Sequence, residues 1–136
     1  MTESNNVVPQ PENAGRARVL LAEDDRAVRR LLEVVLERAG YEVISAVDGL
    51  EAMKLALSTP IDIVVTDEMM PNLSGREFCR FLRNSQTLSH LPVIVLSALE
   101  RKETNQELER VDAFLSKPVS GEVLVECIER LLARKS

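Results

Sequence analysis

Apolar positions along this chain fall into two kinds of block. Short, mostly apolar runs lie at 18–22, 61–66, 92–96 and 113–115, with a shorter, half-apolar one at 42–45. They are too short for helices, and the run at 61–66 is rich in β-branched side chains, which predicts strands, that one buried on both faces. Between them, apolar residues recur at helical spacing. Val28, Leu31, Leu32, Val35, Leu36 and Ala39 form one such stripe, with Gly40 placed as a left-handed C-terminal cap. Asp48 and Glu51 have capping-box spacing and open a second helix that ends near Ser58, before Pro60. Phe78, Phe81 and Leu82 mark a third helix to about Arg83, followed by a polar loop over 84–91. Ser120 caps a last helix whose stripe is Val123, Leu124, Cys127, Ile128, Leu131 and Leu132.

Strands that alternate with helices predict a parallel sheet with helices on both faces. The segment 100–110 departs from this pattern: seven of its eleven residues are charged and Leu108 is its one aliphatic side chain. A shortened or weak fourth helix is expected there, with Thr104 and Glu107 at capping-box spacing. Residues 1–16 lack periodicity and carry Pro9, Pro11, Asn13 and Gly15, so they are expected to be a disordered arm, with the folded domain over 17–134.

The chain's 136 residues suffice for one domain and one core. A composition 45% hydrophobic and 29% charged is that of an ordinary globular protein. The net charge of −5, without a basic stripe, argues against direct nucleic-acid binding. No apolar run approaches the roughly 18 residues of a membrane span, and no signal peptide opens the chain, so a cytoplasmic location is expected. Cys79 and Cys127 lack metal-ligand spacing and are expected to be buried thiols. His90 is expected at the surface, and Arg29 and Arg30 on the solvated face of the first helix.

In a parallel sheet, the residues past the strand ends share one edge, where open α/β sheets place their chemistry. Glu23 and Asp24 follow the first strand, Asp67 the third, Ser97 the fourth and Lys117 the fifth. Three carboxylates, a hydroxyl and an amine would therefore meet in one crevice. Carboxylates so close repel unless a cation joins them. Oxygen ligands without His or Cys point to a hard ion, Mg²⁺ or Mn²⁺. A lysine beside a carboxylate and such an ion is suited to handling phosphate. The competing reading makes Lys117 a charge-balancing partner and Glu23, Asp24 and Asp25 a helix cap. Pro118 after Lys117 permits a cis peptide there.

The set 19–25 (Val-Leu-Leu-Ala-Glu-Asp-Asp), 67–71 (Asp-Glu-Met-Met-Pro), 93–98 (Val-Ile-Val-Leu-Ser-Ala) and Lys117-Pro118 resembles the receiver domain of two-component response regulators, chemotaxis-regulator-like in form. Asp48-Gly49 and the turn 70–75 add to the likeness. The resemblance implies a doubly wound, five-stranded parallel sheet of flavodoxin-like order 2-1-3-4-5. It implies that Asp67 accepts a phosphoryl group from a sensor histidine kinase or histidine phosphotransfer protein and so switches binding to an output partner. It further implies that Glu23, Asp24 and Asp67, with the backbone carbonyl of Met69, hold Mg²⁺ (or Mn²⁺). Lys117 would bind a phosphoryl oxygen, Ser97 would hydrogen-bond the phosphorylated acid, and Phe114 would move as the switch aromatic. Met69 and Leu99, two residues past the acceptor and the hydroxyl, would border the hydrolytic water and tune its rate. Such a domain is a signalling unit and not an enzyme, apart from self-catalysed phosphoryl transfer and slow autodephosphorylation.

The sequence departs from the family pattern in places. Glu23 stands where Asp is commonest, Gly is missing before the fifth strand, and Phe114 lacks a hydroxyl. A haloacid-dehalogenase-like phosphatase would need a second acid where Met69 stands, and a flavin phosphate would be repelled by Glu23-Asp24-Asp25. A phosphorylation-independent interaction module on the same scaffold is the alternative function. No output domain follows Ser136, so a stand-alone or excised receiver is expected.

Overall fold

The computed structural model describes residues 15–98 and 110–135. Residues 1–14 of the arm expected over 1–16, Leu99 and nearly all of the segment expected to hold the weak fourth helix lie outside the described residues. The elements are β1 (Arg18–Ala22), α1 (Arg26–Arg38), β2 (Glu42–Ala46), α2 (Gly49–Ser58), β3 (Ile63–Asp67), α3 (Gly75–Arg83), β4 (Val93–Ser97), β5 (Ala113–Ser116) and α4 (Gly121–Lys135). All strand pairs are parallel, in the order β2-β1-β3-β4-β5. The expected 2-1-3-4-5 sheet is therefore present.

The central strands are buried along their whole length, and the pleat decides which helix layer each side chain meets. Leu20, Val64, Val93 and Val95 pack with Ala52 and Ala56 of α2 and with Phe78, Cys79 and Leu82 of α3. Val19, Leu21, Val65, Ile94 and Leu96 pack with Leu32 and Leu36 of α1 and with Leu124, Ile128 and Leu131 of α4. Cys79 and Cys127 belong to opposite layers and are free and buried, as expected.

Local signals place most helix ends. Asp25, Asp48 and Ser120 each accept from the backbone amide three residues on, capping α1, α2 and α4. Gly40 has φ +100°; its amide donates to Glu37 and that of Tyr41 to Leu36, the Schellman arrangement. The third helix begins three residues before Phe78, at Gly75, because Ser74 and Glu77 form a reciprocal capping box.

The edge opposite the strand C-termini is tied through Asp112, which forms ion pairs with Arg83 and Arg134. Arg83, at the end of α3, donates to the carbonyls of Ser89, Leu91 and Arg110 and to the carboxylate of Asp112. Asp112 also accepts from the amide of Val93 and from Arg134 of α4. His90 is exposed in the adjoining loop.

Candidate functional site

Register brings the predicted acids to one edge. Ala22 pairs with Thr66, so Glu23 and Asp67 stand side by side just beyond that pair. Asp67 is the last residue of β3, and its register partner on β4 is Leu96, the residue before Ser97. Ser97 is itself the last residue of β4, and its carbonyl accepts from the amide of Lys117. These hydrogen bonds carry the chain from β5 directly into the crevice. The Lys117–Pro118 peptide is cis.

One carboxylate oxygen from each of Glu23, Asp24 and Asp67 falls within 4.8 Å of the others. Glu23 is fully buried, Asp67 nearly so, and Asp24 is exposed at the mouth. Lys117 Nζ lies 3.2 Å from Asp67 Oδ1, within hydrogen-bonding reach, and 3.9 Å from Glu23 Oε1, beyond it. Glu23 Oε2 accepts from the amide of Asp25 at 3.0 Å, while Oε1 is buried without a hydrogen-bond partner among the described residues. Burial is the main force pushing the Glu23 carboxyl up from 4.5 to about 7; the Asp25 amide opposes the rise, the charge of Asp67 adds to it and Lys117 opposes it.

Arg29 is not part of the solvated helix face. Its guanidinium turns back over the end of β1 and donates to the carbonyls of Glu23 at 2.9 Å and Asp24 at 3.5 Å. Arg30 is exposed, as expected, and pairs with Glu33. Phe114 is half-buried against the α2–α3 layer. Met69 is 68% exposed, so its side chain faces solvent beside the crevice.

The loop from β3 to α3 is held by contacts that the sequence marks without explaining. A β-carbon at Gly75 would collide with the carbonyl oxygen of Asp67, and one at Gly49 would collide with Leu73. Asn72 adopts φ +74° and donates to Asp48 at the cap of α2. Glu68, not singled out from the sequence, is a buried acid directly after Asp67; its Oε2 accepts from Arg76 Nε at 2.8 Å. Its spacing of eight residues from Arg76 suggests no local pair, so only the backward path of α3 over the strand end reveals it.

A cluster of hard oxygen donors, one of them a buried oxygen that accepts no hydrogen bond among the described residues, fits a divalent cation such as Mg²⁺. Among the described residues, no helix is long and apolar enough to cross a membrane.

The family profile described as "Response regulator receiver domain" matches residues 19–129. The chain is 42% identical over 123 residues to the response regulator MprA of Mycobacterium sp. (strain KMS), covering 88% of this chain and 52% of that protein. It thus spans about half the length of that relative. It is 32% identical over 116 residues to the polar-differentiation response regulator DivK of Brucella ovis, covering 84% of this chain and 94% of DivK. Among solved structures, the response regulator TrrA of Thermotoga maritima, in complex with Mg²⁺-BeF, superposes with a TM-score of 0.77 at 29% identity, over 85% of this chain and 98% of that one.

Proposed function

The chain belongs to the response regulator receiver domain family, and on that premise we propose that Asp67 accepts a phosphoryl group from a phosphohistidine of a sensor histidine kinase or histidine phosphotransfer protein in the cytoplasm. The observation that carries this reading is the union of Asp67, the Lys117 ammonium and the three-carboxylate cluster at one strand edge.

In the transfer, a carboxylate oxygen of Asp67 attacks phosphorus in line with the leaving imidazole nitrogen. The P–N bond breaks, a P–O bond to Asp67 forms, and the imidazole takes up a proton. Catalysis here is positioning plus charge stabilisation. Glu23, Asp24, Asp67 and the Met69 carbonyl would hold Mg²⁺, which supplies positive charge against the phosphoryl oxygens. Relatives support this ligand: TrrA is described in complex with Mg²⁺ and a beryllofluoride.

Lys117, hydrogen-bonded to Asp67 before transfer, passes to a phosphoryl oxygen afterwards. The new group brings up to about two negative charges into a buried place and recruits the Ser97 hydroxyl from the end of β4. Drawing Ser97 toward Asp67 leaves room behind it, into which Phe114 repacks; this is the switch that alters partner binding. The folded unit carrying it is residues 17–134. By likeness to the family, Met69 and Leu99 would flank the approach of the water that ends the signal.

Mass spectrometry after incubation with acetyl phosphate and Mg²⁺ tests the reading. The unaltered protein should gain one phosphoryl mass and Asp67→Asn none. Labelling that persists in Asp67→Asn would remove the acceptor assignment.

A further inference from the structure

Glu68 is a buried charge that phosphoryl transfer as described does not use. It sits between the acceptor and Met69, with its side chain 7% exposed. Its backbone is held on two sides: the amide donates to Leu96 of β4 at 2.9 Å, and the carbonyl accepts from Gly75 of α3 at 2.9 Å. Its carboxylate adds a third tie, to Arg76 on the first turn of α3. Three elements that must stay in register around the crevice (the acceptor strand, the strand bearing Ser97 and the helix closing the loop) therefore converge on this one residue.

The Arg76 side chain is 34% exposed, and an ion pair with only its acid buried is a poor device for stability alone, since apolar residues of similar volume often serve as well. It does have a direction that an apolar contact lacks. A bond of 2.8 Å from Arg76 Nε fixes where Glu68 lies, and the next carbonyl along the chain is that of Met69. The same bond holds the Glu68 charge on the α3 side. Without Arg76, the buried carboxylate would be free to turn toward Asp67 and add a fourth anion to the cluster.

From this geometry we infer that Glu68 and Arg76 are a positioning pair: through the loop that follows Asp67 they set the Met69 carbonyl and keep the cation site at three carboxylates. The inference rests on the proposed Mg²⁺ and phosphoryl site, and its test separates the two. Mg²⁺ is titrated calorimetrically into the unaltered protein, the double variant Glu68→Met/Arg76→Met and the variant Arg76→Lys, with unfolding midpoints measured alongside. Loss of an outer partner of a metal ligand typically lowers affinity about tenfold or more. The double variant should keep its unfolding midpoint, lose about tenfold in Mg²⁺ affinity and label more slowly with acetyl phosphate. Arg76→Lys, which preserves the charge, should stay near the unaltered protein. Unchanged Mg²⁺ affinity in a folded double variant overturns the pair while leaving the site intact. If the double variant does not fold, Glu68→Ala, which removes the acceptor of the Arg76 bond, takes its place, and affinity equal to that of the unaltered protein overturns the pair in the same way. Absence of Mg²⁺ binding by the unaltered protein overturns both the pair and the site.

Discussion

Gly75 packs so tightly on Asp67 that any β-carbon at residue 75 would strike the carbonyl oxygen of Asp67. The obstacle is backbone, which cannot rotate away as a side chain could. Gly75→Ala should therefore push the start of α3 off the strand end, at a cost of about 1–3 kcal/mol in urea unfolding. Because the displaced atoms belong to Asp67, acetyl phosphate labelling should fall as well. A variant as stable and as readily labelled as the parent would show that the loop yields without strain.

Glu23 couples folding to pH. Burial, together with the Asp67 charge, lifts its carboxyl from 4.5 to about 7. Between those values the folded protein holds a proton that the unfolded chain has released. Its contribution to stability is complete below pH 4.5 and is lost as pH rises through about 7. Metal-free protein should lose on the order of 1–3 kcal/mol across that window. Glu23→Gln should flatten the dependence, and saturating Mg²⁺ should oppose it. Denaturation in chelator at several pH values reads each of these.

Asp24 provides the cleanest probe of the cation. It is exposed at the mouth, so Asp24→Ala should leave the fold intact while removing a hard ligand. Calorimetric titration should show much weaker Mg²⁺ binding than in the parent. Equal affinity would rule Asp24 out of the ligand set.

Asp112 should behave in the opposite way. It gathers Arg83, Arg134 and the amide of Val93 at the sheet edge remote from Asp67. Asp112→Ala takes this acceptor from the buried Val93 amide and the ion pair from Arg83, and should cost about 1–3 kcal/mol of stability. Labelling of folded Asp112→Ala by acetyl phosphate should match the parent. A large loss of labelling without unfolding would mean that the two edges are coupled.

The lifetime of the phosphorylated state tests Met69 and Leu99. Neither side chain can hydrogen-bond the attacking water, so decay should be slow. The double variant Met69→Asn, Leu99→Glu should decay faster in a time course followed by mass spectrometry. The exposure of Met69 provides a direct check: if the single variant Met69→Asn decays like the parent, its side chain stands clear of the water.

The sequence by itself determined the strands, their order of appearance and the chemistry at their ends. Strand segments, the caps at Asp48 and Ser120 and the left-handed Gly40 depend on neighbours within a few residues, which the chain states directly. The convergence of Glu23, Asp24, Asp67 and Lys117 was legible because a parallel sheet sends every strand end to the same edge. Tertiary structure decided what no local signal encodes. The continuous apolar runs of β3 and β4 carry no period, so only the pleat sorted Val64 from Val65 and Val95 from Leu96 between the two helix layers. Strand bounds shifted so that Asp67 and Ser97 end their strands instead of following them, because ladder pairing with the neighbouring strands extends that far. Arg29 looked like an exposed helical charge, yet the path of α1 lays it over the end of β1. Glu68 and Arg76, Gly75 and Asp67, and Asp112 and Arg83 are pairs that the chain alone could not join. Each owes its contact to the way helices cross the sheet, which depends on packing summed over the whole fold.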